Sequence, residues 1–312
     1  MPNPVVSSTA GTSADVVDTK LFREVVTVYT GAIDVVVNPY TPEIVAGRPA
    51  WSKDFLGRKI GVGDRLPGTT IEEYLAKMDR AGIARSFLIA AKLGPAGDVN
   101  SYALQVETVA ELVAAHPDRF SGLVGLDPTA GMAELRHLER AVTEYGFVGA
   151  HSYPHWFGLP PDHRRYYPIY AKCAELGVPI QLQVGHCLRY DDARPLRSVG
   201  RPITLDTVAC EFPELKLVGI HTGWPWTEEM IAVAYKHPNV YIGVDAYAPK
   251  HWPAALVHYM NTFGREKVLF GTDYPVIDPE RAMTEFAELG LRAESATAVL
   301  RDNALRLYGL TG

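Results

Sequence analysis

Cysteine is scarce in this chain: three thiols among 312 residues, Cys173, Cys187 and Cys210, spaced for neither a disulfide framework nor a zinc knuckle. That scarcity suits a reducing compartment, so we expect a cytoplasmic protein in which all three are small buried hydrophobes. Runs of Lys or Arg are missing too, and the net charge is −6, which leaves no electrostatic footprint for nucleic acid or acidic lipid. No window approaches the roughly 18 consecutive apolar residues needed to cross a bilayer. Residues 1–20 lack the basic start and unbroken apolar stretch of a signal peptide; we expect a flexible arm there, ahead of one domain spanning 21–312. With nucleic acid, membrane and disulfide scaffold set aside, the expected partner is a small molecule.

What is present is a large apolar fraction, 47% hydrophobic against 21% charged, enough to bury the core of one sizeable domain. Eight short apolar or β-branched runs recur at 33–38, 85–91, 121–126, 147–151, 179–184, 215–221, 240–245 and 267–273, with helical patterns between them. Eight βα units predict a single-domain α/β fold, the closed (β/α)8 TIM barrel. The spacing between the first two runs is the longest, and the extra residues at 39–70 form a long loop after strand one. Such a loop lies on the catalytic face, as a lid or substrate wall, or else is a surface excursion or dimer contact. Thr70-Ile71-Glu72-Glu73 has the form of a capping box, and Gly82 stands where that helix should stop.

Two runs carry the strongest functional signal. Leu217 to Ile220 leads into His221, and Val268 to Phe270 leads through Gly271 and Thr272 into Asp273; each apolar run thus delivers one ionisable residue before a Gly or Pro break. In a parallel barrel those are the strand ends where chemistry sits. His221 with Asp273 makes a base and its orienting acid, the expected catalytic pair. Around them the barrel reading gathers His151, Tyr153 and His155 after strand four, Gln181, Gln183 and His186 around strand five, and Asn38 and Tyr40 after strand one. Arg189, Arg194 and Arg201 are cationic candidates for a carboxylate, with Arg201 favoured because Gly200 and Pro202 hold it. The expected substrate-binding set is Asn38, Tyr40, His151, Tyr153, Gln183, His186, Arg201 and Trp224. Trp51, Trp156, Trp226, Tyr247 and Trp252 add to an aromatic face suited to a flat substrate.

Gly271-Thr272-Asp273-Tyr274-Pro275, the stretch from His221 to Trp226, and Gly200-Arg201-Pro202 followed by Leu205-Asp206 resemble the amidohydrolase-related group that includes aminocarboxymuconate-semialdehyde decarboxylase and the benzoate-type decarboxylases. The resemblance runs from about Ile33 to the C-terminus. It implies a (β/α)8 barrel, often a homodimer, acting on small aromatic or unsaturated acids. It also implies that Asp273 binds metal or moves a proton and that His221 is a base or a ligand. The departures are equally specific. Where the family ends strand one with two histidines this chain has Val36 and Asn38, and Gln183 replaces the strand-five histidine. Fewer than three of the family's ligands then remain for a catalytic zinc, so a pocket without a cofactor is expected; the alternative is zinc held by His221, Asp273 and His151. The activity expected is cleavage of a C–C bond next to a carbonyl or carboxylate. Decarboxylation and hydrolysis of a β-keto acid or β-ketoacyl thioester both fit, and the lost ligands tilt the choice toward hydrolysis. A metal hydrolase with a rebuilt ligand set and a barrel that only binds a ligand or partner are the rival readings.

Overall fold

The computed structural model describes residues 29–189 and 195–311; the expected arm at 1–20 and Arg194 lie outside them. Eight strands pair in sequence order: β1 (Ala32–Val37), β2 (Ile83–Ala90), β3 (Phe120–Gly125), β4 (Gly149–Ser152), β5 (Ile180–Gln183), β6 (Leu217–Ile220), β7 (Val240–Gly243) and β8 (Val268–Leu269). Every pairing among them is parallel. The segment after β8 returns to β1: Val35 N–H donates to Phe270 O at 3.1 Å, Asp273 N–H to Val36 O at 2.8 Å, and Asn38 N–H to Tyr274 O at 2.9 Å. These bonds close the (β/α)8 barrel that the sequence predicts.

The strands are buried on both faces, as a sheet covered by helices requires. Along β2, Phe87 and Ile89 join one buried cluster while Leu88 and Ala90 join another. The helix Ile71–Ala81 is capped as expected: Thr70 Oγ1 accepts from Glu73 N–H, Glu73 Oε2 accepts from Thr70 N–H, and Gly82 ends the helix with φ 72°. Of the cysteines only Cys173 is buried. Cys187 is half-buried and Cys210 is exposed on the helix Thr204–Glu211, which corrects the expectation of three buried thiols. Cys210 lies on the outer, solvated side of an amphipathic helix, a place that composition alone does not reveal. Among the described residues no helix is long and apolar enough to cross a membrane.

One close approach tests the packing. A Cβ added at Gly125, the end of β3, would lie 2.1 Å from Ala90 O at the end of β2. A backbone oxygen cannot swing away, so Gly125→Ala is expected to destabilise the fold by about 3 kcal/mol, read as a lower midpoint of chemical unfolding.

The loop after β1 is built rather than irregular. It holds two short helices, Pro42–Ala46 and Ala50–Asp54, the second running into a π-helical turn, Phe55–Ile60. Arg65 Nε donates to Pro275 O at 2.9 Å, which fastens the loop to the segment after β8. The loop therefore arches over the C-terminal mouth of the barrel.

Candidate active site

Three strand ends converge at that mouth. His221 follows β6, Asp245 lies two residues beyond β7, and Asp273 follows β8. His221 Nε2 stands 3.2 Å from Asp245 Oδ2 and 3.6 Å from Asp273 Oδ2. Non-glycine residues adopt positive φ at His221 (66°), Thr222 (54°), Ala246 (65°) and Asp273 (54°), and among the described residues nowhere else. Such conformations cost of order 1–3 kcal/mol each and persist where surrounding structure imposes them. Here they fall at or next to the three strand ends that carry the cluster.

Each of the three is steadied from behind. Asp245 Oδ1 accepts the His221 backbone N–H at 2.9 Å. Asp273 Oδ1 accepts from Asn38 Nδ2 at 2.8 Å, and Asn38 Oδ1 accepts the Tyr153 hydroxyl at 3.3 Å. The Gln183 amide meets His221 Nδ1 at 3.0 Å. Burial disfavours charge throughout. It lowers the His221 pKa to about 3 and raises that of Asp245 to about 7. Asp273 is raised well above the usual carboxylate range, by burial first and then by the neighbouring Asp245 carboxylate. An imidazole and two carboxylates are thus packed together, with the Arg48 guanidinium offsetting only a small part of the effect of burial on Asp273.

Above this cluster lies a cavity of about 140 Å³. His221, Asp273, Asn38 and Gln183 face its floor, Tyr153, Trp156, His186 and Tyr247 its sides, and Arg48, Trp51, Phe55 and Leu56 of the arching loop its roof. The loop therefore forms one wall of this cavity. Two buried guanidinium groups also line the cavity. Arg48 packs on the rings of Tyr40 and Tyr102, donates to Ser52 Oγ at 3.2 Å, and has no carboxylate within 4 Å among the described residues. Arg189 lies between Trp51 and Trp156, 4.1 Å and 4.6 Å from their ring centres.

The other expected site residues are placed unevenly. Asn38, Tyr153, Gln183 and His186 line the cavity with His221 and Asp273. Tyr40 sits behind Arg48, its hydroxyl donated to Leu66 O. Trp224 is 41% exposed at the rim, beside Tyr247 and His186. His151 is buried beneath Tyr153, 4.3 Å between ring centres, with Nδ1 held by Gln181 Oε1; it does not join the His221 cluster, and Asp245 takes the place expected of it. Gln181 is tied to Val35 O and Tyr308 OH, and His155 Nδ1 accepts from Val199 N–H. Arg201 is corrected outright. It is exposed, paired with Glu229 and laid over Trp226, because the turn at Pro202 starts a helix and sends the side chain outward. Asp245 and Arg48 were the residues not ranked from sequence, whereas Arg189, named there behind Arg201, does line the cavity. Asp245 had a usable signal, since the run at 240–245 also ends in an ionisable residue; Arg48 had none inside its loop.

A family model described as Amidohydrolase matches residues 51–310. The chain belongs to the amidohydrolase family. Its relatives include a 2-amino-3-carboxymuconate-6-semialdehyde decarboxylase from Dictyostelium discoideum, 26% identical over 65% of this chain and 64% of its own length. A gamma-resorcylate decarboxylase from Rhodococcus jostii is 27% identical over 65% of this chain and 75% of its own. The match thus spans just under two thirds of the first relative and three quarters of the second. Among solved structures, a TIM-barrel protein from Bordetella bronchiseptica is 25% identical with a TM-score of 0.74, covering 90% of this chain and 99% of that one.

The expected pocket without a cofactor is overturned by a further family likeness. Dihydroxybenzoic acid decarboxylase from Polaromonas sp. JS666, 21% identical with a TM-score of 0.66 over 90% of this chain and 97% of that one, was crystallised with bound manganese. So was 5-carboxyvanillate decarboxylase from Novosphingobium aromaticivorans. The ligand count from sequence fell short because it looked for imidazoles at Val36, Asn38 and Gln183 and passed over Asp245. The tilt toward hydrolysis rested on that count and goes with it. The residues present fit a divalent cation: the donor atoms of His221, Asp245 and Asp273 lie within 4.8 Å of one another, and His221 Nε2 and Asp245 Oδ2 are buried without a hydrogen-bond partner.

Proposed function

We propose that this chain releases carbon dioxide from a small aromatic carboxylic acid, with the chemistry centred on His221, Asp245 and Asp273. The observation that carries the reading is the convergence of the three, two of which, His221 and Asp273, open onto a cavity walled by aromatic rings and lined by the buried Arg48. The decarboxylases among the relatives support the reaction class.

Trp51, Phe55, Tyr153 and Trp156 form flat apolar walls for a ring, and Arg48 attracts an acid into the cavity. The arching loop covers the site and keeps water from the reacting carbon. A divalent cation held by His221, Asp245 and Asp273 supplies, when bound, a positive charge that steadies negative charge developing on the substrate. As the carboxyl group departs, the electron pair of the broken bond stays on the ring carbon, which then takes a proton. Tyr153 and Cys187 are poor donors, since burial raises both pKa values and the Tyr153 hydroxyl is already given to Asn38. His186, on the same wall, is the donor.

The test is a panel of hydroxybenzoic and related acids, with carbon dioxide release and ring product measured in water enriched in heavy oxygen. One carbon dioxide per product and no label is expected; label in a carboxylate product would overturn decarboxylation in favour of hydrolytic cleavage. Arg48→Gln should raise KM for the acid about 10- to 100-fold, the worth of one charged hydrogen bond, with a smaller change in kcat. An unchanged KM would remove Arg48 from substrate binding.

A further inference from the structure

The three converging residues share an arrangement that hydrogen bonding alone does not explain. Each side chain uses its far atom for a fixed neighbour and turns its near atom inward. Asp245 gives Oδ1 to the His221 N–H and leaves Oδ2 free; Asp273 gives Oδ1 to Asn38 and turns Oδ2 toward His221; His221 gives Nδ1 to Gln183 and leaves Nε2 free. Asp245 is 0% exposed, and its Oδ2 makes no hydrogen bond although His221 Nε2 is 3.2 Å away. A buried carboxylate oxygen left so is costly unless a cation takes it. Bonds of about 2.0–2.2 Å in tetrahedral geometry put neighbouring donor atoms roughly 3.3–3.6 Å apart, and the separations here are 3.2 Å and 3.6 Å.

We infer that this chain has a cation site of its own composition, with His221 Nε2, Asp245 Oδ2 and Asp273 Oδ2 as ligands and with Asn38 and Gln183 as supports behind them. Two positions that would carry ligating histidines therefore serve one step further out. Val36 is the third such position; its side chain, with that of Asp245, lies against the bare Cα of Gly271, where an added Cβ would be 3.0 Å from Asp245 Cβ and 3.4 Å from Val36. That bare position gives the carboxylate of strand seven room to enter. Gln183 fits its supporting place chemically. Its oxygen is buried and unpartnered while its nitrogen faces His221 Nδ1. A half-turn of the amide brings the oxygen onto Nδ1, where it accepts the Nδ1 proton and leaves the Nε2 lone pair for the ion. Three protein ligands also leave a position open for substrate.

The site rests on the proposed reaction only in sharing its cavity, and the experiment keeps the two apart. The full chain, stripped with chelator and dialysed, is titrated with Mn2+ by calorimetry and by the loss of the free-ion electron paramagnetic signal. One Mn2+ per chain is expected. Asp245→Asn should weaken binding by about 100-fold or more, and Gln183→Leu by about 10- to 100-fold, the usual effect of losing a support behind a ligand. Thermal melts guard against misfolding: without Mn2+, Asp245→Asn should melt no lower than the parent, because a neutral amide replaces a buried acid, and of these two only the parent should gain melting temperature when Mn2+ is added. No Mn2+ binding by the parent, or binding that survives Asp245→Asn, overturns the site. Binding as described without carbon dioxide release from any acid would sink the reaction and keep the site; release undiminished in the stripped protein, with no Mn2+ bound, would do the reverse.

Discussion

Asparagine in place of His221 is expected to lower kcat by about 10³-fold or more, equivalent to roughly 4 kcal/mol of lost transition-state stabilisation. The imidazole stands 3.2 Å and 3.6 Å from the two carboxylates of the cluster, and its side chain opens onto the cavity. Asparagine is shorter and cannot bring an acceptor to the place of Nε2, while the backbone N–H that Asp245 accepts is retained. The fold should therefore survive and the chemistry should not. Steady-state kinetics beside a thermal melt checks this. A kcat within tenfold of the parent would show that catalysis does not depend on this strand end, and would revive the reading of a barrel that only binds.

Asp34→Ala should cost about 3–5 kcal/mol of folding stability, because it strips one acceptor from several buried donors at once. Asp34 is 0% exposed; Oδ1 accepts Thr272 N–H at 2.9 Å and Val36 N–H at 3.2 Å, and Oδ2 accepts the Thr272 hydroxyl at 2.5 Å. These bonds join the first strand to the segment after the last, where the barrel closes. Thr272 adjoins Asp273, so kcat should also fall in molecules that remain folded. Asp34→Asn, which keeps an acceptor oxygen and offers an amide hydrogen, should recover part of the loss. Equal midpoints of chemical unfolding for parent and Asp34→Ala would show that the closure does not rely on this side chain.

The barrel was legible because its signal is periodic and repeated. Eight apolar runs at helix-and-loop spacing leave few other folds, and local chemistry such as the Thr70–Glu73 box fixes a helix start whatever surrounds it. His221 and Asp273 were legible for the same reason, each being a polar full stop at the end of an apolar run. Asp245 obeys the same rule, ending the run 240–245, although it stands at none of the positions that the resemblance marks. Arg201 was misplaced because sequence shows that a residue lies near a strand end but not which way its side chain leaves the backbone; the pairing with Glu229 decides that, and Glu229 is 28 positions away. Arg48 was beyond reach altogether. Its burial depends on Tyr40, Ser52 and Tyr102 meeting around it, and a loop's conformation is set by what it packs against rather than by any period of its own.

The arching loop has a bearing on how such an enzyme can diverge. Six residues that touch the cavity, Arg48, Trp51, Ser52, Phe55, Leu56 and Ile60, come from a single stretch of thirteen positions, while the ionisable cluster comes from three strand ends far away in the chain. One wall of the cavity and the ionisable cluster are thus written in separate passages of the gene. On the proposed function, a handful of changes within 48–60 is expected to alter which acid is accepted while leaving the barrel's closure and its reacting groups as they are, so lineages can part in diet before they part in chemistry.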